Sequence, residues 1–102
     1  EGIKLKVCGI KDQKLVLELS NDSEEDFFYG EYFTIYKKEG NNWIQMSFQP
    51  DMVFIDLGYI LMAGESRTLE KPLDMVMDMK AGDYGIYLEG AFADFSLDQD
   101  MR

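Results

Sequence analysis

Apolar residues recur at every second position through most of the chain and almost nowhere at helical spacing. Ile3, Leu5 and Val7 alternate with Lys4 and Lys6; Leu15, Leu17 and Leu19 alternate with Lys14, Val16 and Glu18. Period two gathers one set of side chains on a single face, so both runs predict strands half-buried against a core. Lys11-Asp12-Gln13 is the turn between them, and Cys8 is expected to pack as a small apolar side chain near the end of the first strand. Residues 27–48 carry the strongest signal. Phe33 and Ile35 share one side there, with Tyr32, Thr34 and Tyr36 on the other; beyond Gly40-Asn41-Asn42, Ile44, Met46 and Phe48 share a side. Gly and Asn accept the positive φ of a tight turn, which predicts a hairpin setting Phe33 and Ile35 beside Met46 and Phe48. One hairpin is unstable alone in water, so the other apolar runs must supply an opposing layer.

After Pro50, residues 52–57 are apolar without a clear period and predict a short edge strand or a packed loop. Ala63-Gly64-Glu65 is a turn, and residues 66–71, next to Pro72, suit an edge strand. Residues 73–79 allow one helical turn. Tyr84, Ile86 and Leu88 share a face. The parity changes at Gly90, so residues 84–97 form either one bulged strand or a hairpin. Residues 21–26 are a polar loop, and residues 97–102 are expected to be a frayed tail. The pattern predicts an all-β sandwich of about seven short strands with at most one helical turn, a single domain over residues 1–102. Leu17, Phe33, Ile35, Met46, Tyr84 and Ile86 are its expected core.

Several segments in order resemble a bacterial immunoglobulin-like domain family of Gram-positive extracytoplasmic proteins. They are ELSNDS within residues 17–23, Tyr29-Gly30-Glu31-Tyr32-Phe33, the run from Gly40 to Trp43, Leu61-Met62-Ala63-Gly64-Glu65-Ser66, and Ala81-Gly82-Asp83-Tyr84-Gly85-Ile86. Ala63 and Ala81 stand where that family usually has proline, and Gly85 where it often has a charged residue. The resemblance implies an immunoglobulin-like sandwich acting as a structural or interaction module outside the cytoplasm, with no catalytic residues to carry over. Tyr84, two residues after Gly82 at the start of a strand, resembles a tyrosine corner, in which the hydroxyl bonds to backbone just upstream, near residues 78–80.

Composition narrows the chemistry. The 102 residues carry a formal net charge of −10, which disfavours nucleic acid and anionic membrane surfaces as partners. No apolar run approaches the ~18 residues of a membrane span. There is no histidine, which removes the commonest general base and transition-metal ligand, and Ser-His-Asp and Cys-His machinery with them. The single cysteine, Cys8, allows no intrachain disulfide and no thiolate cage. Residues 1–7 before it alternate charge with aliphatics and lack the apolar core of a lipoprotein signal. The chain starts at Glu1 rather than methionine, the mark expected of a processed or trimmed fragment whose signal or anchor lies upstream.

No enzyme, cofactor or metal site is therefore expected. Trp43, with Tyr32 or Tyr36, is the candidate binding surface, either as a ring covering the sandwich rim or as a platform for sugar or peptide. Asp22, Glu24, Glu25 and Asp26, and separately Asp94, Asp98 and Asp100, suit solvated charge; a calcium site is the sharper alternative, though their spacing lacks a calcium-loop pattern. The leading expectation is a non-catalytic module contacting an unidentified protein or other domains of its own full-length chain. The alternatives are a protease inhibitor or regulator presenting the loop at residues 51–61, and a weak calcium or carbohydrate binder.

Overall fold

Leu15, Leu17 and Leu19 are fully buried on one face of a strand, opposite Ile35, Tyr84, Ile86 and Leu88, and these two rows form the centre of one continuous core. The computed structural model describes residues 2–101. Strands β1 (Ile3–Lys11), β2 (Lys14–Asn21) and β7 (Ser66–Pro72) form one sheet in the order β1-β2-β7. Strands β4 (Thr34–Glu39), β5 (Asn42–Gln45), β8 (Gly82–Leu88) and β9 (Ala91–Leu97) form the facing sheet in the order β5-β4-β8-β9. A two-stranded ribbon pairs β3 (Phe27–Gly30) with β6 (Gly58–Leu61), and a 3-10 turn at Leu73–Met75 is the only helical piece among the described residues. All pairings are antiparallel.

The protein is thus an all-β sandwich, with nine strands among the described residues rather than about seven. One extra strand arises in residues 27–33, where the chain leaves the ribbon at Gly30 and enters the facing sheet only at Thr34, and the other is β6, which pairs with β3. The 34–45 hairpin turns on Gly40 and Asn41 alone: Glu39 pairs with Asn42, and Gly40 takes the positive φ of 62°. Phe33 meets Phe48 edge-on at 5.5 Å between centroids, and the Met46 N–H donates to the Ile35 carbonyl. Met46 is half-buried rather than buried, and Ile44 is exposed. β5 is the edge strand of its sheet and all four of its residues are exposed, so its apolar parity continues without a layer to cover it.

Residues 84–97 resolve as a hairpin. Leu88 pairs with Ala91 across Glu89 and Gly90, both at positive φ (48° and 92°), the arrangement whose twist matches flanking strands. The expected frayed tail is a second correction. Leu97 is buried at the end of β9, the Ala81 N–H donates to Asp100 Oδ1 at 2.8 Å, and the Met101 N–H donates to the Met79 carbonyl at 2.8 Å. Arg102 lies outside the described residues. Cys8 is exposed, not packed: it continues the outward parity of Lys4 and Lys6, at the bulge where the register between β1 and β2 slips between Val7 and Gly9.

Candidate functional site

Strand pairing fixes the outer face of the four-stranded sheet. Lys38 lies opposite Trp43, while Tyr36 lies opposite Gly85, which lies opposite Asp94. The Phe92 ring covers Gly85 so closely that a Cβ there would come within 2.2 Å of Phe92 Cζ. Phe92 meets Trp43 edge-on at 5.2 Å, and Lys38 Nζ sits 5.7 Å from the Trp43 ring centre. Trp43, Lys38, Asp83, Asp94, Phe95 and Ser96 border an open depression of about 400 Å³. Ser96 Oγ donates to Asp83 at 2.7 Å, which occupies part of its polar rim. The structure therefore puts Trp43 and Tyr36 on one face and separates Tyr32 from them. Tyr32 precedes β4 and packs edge-on against Phe54 at 5.0 Å, because the sheet that would carry its parity starts at Thr34. Gly85→Ala is expected to push Phe92 off Trp43. Emission from this sole tryptophan should then move to longer wavelength, and an unchanged spectrum would show that Phe92 does not shield it.

A second surface lies over residues 52–57. Phe33, Phe48 and Phe54 meet edge-on in a trio, with centroids 5.2 to 5.5 Å apart, which holds the segment to the core. Met52 is half-buried with Phe54, whereas Val53 is 80% exposed and Ile55 71%, with Leu57 also exposed. In the adjoining ribbon Phe28 pairs with Ile60; Phe28 is 67% exposed, and Ile60 and Met62 are exposed too.

Beneath that segment lies Lys71. Its side chain is only 6% exposed, with Nζ 3.5 Å from Glu31 Oε1 and donating at 3.1 Å to the Glu31 carbonyl. Burial pushes its pKa below 10.5, and the nearby Glu31 carboxylate opposes that shift. Tyr59 donates a short hydrogen bond to the Glu31 carboxylate, which holds its own pKa above 10.0. The network is cross-linking in character.

Sequence reasoning missed Asn21, which it left at the head of a polar loop. Asn21 is fully buried and its amide is saturated. Nδ2 donates to the carbonyls of Glu25 (2.8 Å) and Leu61 (3.0 Å), and Oδ1 accepts from the N–H (3.0 Å) and Oγ (2.6 Å) of Ser23. Its backbone closes on the next turn: the Asn21 N–H donates to the Glu65 carbonyl and the Gly64 N–H donates to the Asn21 carbonyl, each at 2.8 Å. The ELSNDS and LMAGES stretches are thus two halves of one clasp. A bacterial Ig-like domain family model matches residues 4–100. The chain belongs to this family. Among curated proteins none matches it. Bacterial Ig-like domains are generally non-enzymatic structural or interaction modules and typically occur in extracellular proteins. No helix among the described residues is long and apolar enough to cross a membrane, and none of their His, Cys, Asp and Glu residues gather in threes placed to hold a metal.

In this Ig-like domain Tyr84 is fully buried, stacked on Phe95 at 5.7 Å. Its hydroxyl donates to the Lys80 carbonyl at 2.6 Å and accepts from the Lys80 N–H at 3.0 Å. Gly82, at φ 151°, lets the chain pass between those two residues into β8, where a Cβ would crowd Lys37 Nζ at 3.4 Å. Tyr84→Phe keeps the ring and removes both bonds, so it is expected to cost about 1–3 kcal/mol. Chemical denaturation measures this. A midpoint equal to wild type would refute a structural role for the hydroxyl.

Proposed function

We propose that this domain is a non-catalytic interaction module of a bacterial cell-envelope or secreted protein. The observation that carries the reading is the apolar surface of Phe28, Val53, Ile55, Leu57, Ile60 and Met62, left in water on a domain with a complete core of its own. A spacer gains nothing from such a surface, whereas an interface gains roughly 25 cal/mol per Å² of apolar area it removes from water. Two measurements test the reading. Cell fractionation should place the native protein at the envelope or outside the cell; recovery from cytosol alone would sink the location. Capture of partners from envelope extract should fall when Phe28 and Ile60 are both changed to serine, and unchanged capture would sink the surface.

One observation favours a second reading, inhibition or regulation of a protease. Residues 53–56 lie outside any strand ladder on the most exposed part of the loop at residues 51–61, and proteases take their ligands as extended segments. An inhibition assay against a panel of envelope proteases separates this from the first reading. The depression beside Trp43 supports carbohydrate binding more weakly, since Phe92 already covers one edge of the ring; titration calorimetry with glycans addresses it, and the same method with calcium addresses the acidic loop.

A further inference from the structure

This inference rests on the interaction-module reading and concerns how a partner engages. Among the described residues, none accepts a hydrogen bond from the backbone N–H groups of Val53, Phe54, Ile55 or Asp56. The side chains there nevertheless alternate as in a strand, with Met52 and Phe54 half-buried and Val53 and Ile55 outside. The Leu57 N–H turns back to the Ile55 carbonyl at 3.0 Å and ends the run. The burial of this run alternates as a strand's does while its N–H groups from Val53 to Asp56 make no internal bond, on a domain that elsewhere pairs its strands through three sheets. Alternate N–H groups of a strand point the same way, so half of these face any one neighbour. Toward the end of β7, near Lys71 and Pro72, a gap of about 150 Å³ beside the segment is too small for a further strand, which would have to enter from the other side.

The surrounding charge selects the partner. Asp51 and Asp56 flank the segment, and the Glu89 carboxylate lies within reach of Gly30, which itself abuts the Leu57 carbonyl. The nearby cations are engaged: Lys71 with Glu31, and Arg67 with Tyr29, the Ile60 carbonyl and Glu65. A second copy of the chain would bring another net charge of −10 against this one. We propose that residues 52–56 are a strand-addition site for an extended segment of a partner protein in which apolar residues alternate with lysine or arginine. Main-chain bonds would hold such a segment, its apolar side chains would cover Val53 and Ile55, and its cations would meet the carboxylates.

The test is an NMR titration of the intact domain with a short synthetic peptide alternating valine with lysine, alongside a valine–glutamate counterpart. The expected result is that the valine–lysine peptide shifts the amides of Val53 to Asp56 and slows their hydrogen exchange, while the glutamate peptide leaves them unchanged. Ile55→Pro and Asp56→Pro each remove one donor that makes no internal bond, one from each alternate set, so the fold should keep its Tm in both while peptide affinity falls by about tenfold or more in the variant whose N–H faces the peptide. Absence of binding by the valine–lysine peptide, or wild-type affinity in both proline variants, would overturn strand addition. So would dimerisation through these residues in sedimentation, or their perturbation by phosphatidylcholine vesicles without peptide, which would assign the surface to a second copy or to lipid. Native-partner capture lost in the Phe28 and Ile60 double variant but retained in both proline variants would keep the module reading and remove strand addition alone.

Discussion

Asn21→Ala is expected to cost about 3–5 kcal/mol, the largest loss of any single polar side chain in the domain. The Asn21 amide makes four hydrogen bonds and the residue has no solvent exposure, and its bond to the Leu61 carbonyl is buried, where water does not replace it. Alanine leaves the Leu61 carbonyl without its donor at the end of β6 and frees the turn through Ser23 and Glu25. Removing a partner from a buried group costs about 1–3 kcal/mol, and the Asn21 and Ser23 groups are lost together. The corresponding fall in Tm is on the order of 12–40 °C for a domain of this size. Asn21→Asp is the sharper control. It keeps the volume but turns two donors into an anionic oxygen facing two carbonyls, so it should be at least as harmful as alanine. Urea unfolding should show the midpoint falling with its slope unchanged. A loss under about 1 kcal/mol in both variants would mean that the clasp contributes little to stability.

Glu31→Gln is expected to cost about 3 kcal/mol at neutral pH, while Lys71→Met stays within about 1 kcal/mol of wild type. The asymmetry follows from exposure: the Glu31 side chain is 33% exposed, and that of Lys71 only 6%. Without Lys71, the carboxylate still reaches water and keeps Tyr59 as a donor. In Glu31→Gln the ammonium stays buried, with the main-chain carbonyl of residue 31 and the Phe33 ring at 5.6 Å still beside it but without the carboxylate that balances its charge. The pH dependence has a definite sign. Burial lowers the Lys71 pKa below 10.5, so between the folded value and 10.5 the unfolded chain binds more protons and stability rises with pH. Tyr59 acts in the opposite direction. Its folded pKa is raised above 10.0, so the folded chain holds that proton longer and stability falls with pH there. Subtracting the Lys71→Met curve from wild type isolates the lysine. In Glu31→Gln the carboxylate that supports the charge is gone, so Lys71 loses its proton at lower pH and the deficit shrinks as pH rises towards 10.5. Equal losses in the two variants would show that the ammonium escapes to solvent.

The sequence by itself determined the sandwich, and the reason is local. Period two in Leu15, Leu17 and Leu19 and in Tyr84, Ile86 and Leu88 marks a face whatever packs against it, and these residues are fully buried. Gly-Asn at residues 40–41 marks a hairpin for the same reason, since the positive φ is a property of the turn itself. What only the tertiary structure decided depends on residues distant in the chain. Asn21 reads as loop polarity until Leu61 and Glu65 arrive to bond it. Lys71 reads as an exposed strand cation until Glu31 and the 52–57 segment cover it. Tyr32, Tyr36 and Trp43 share an aromatic character that sequence reports, but strand pairing places Phe92 with Trp43 and leaves Tyr32 on Phe54. The 52–57 segment shows why such cases escape a pattern. Its apolar side chains divide between a core that half-buries Phe54 and water that meets Val53 and Ile55, and hydrophobicity alone does not say which side is already filled.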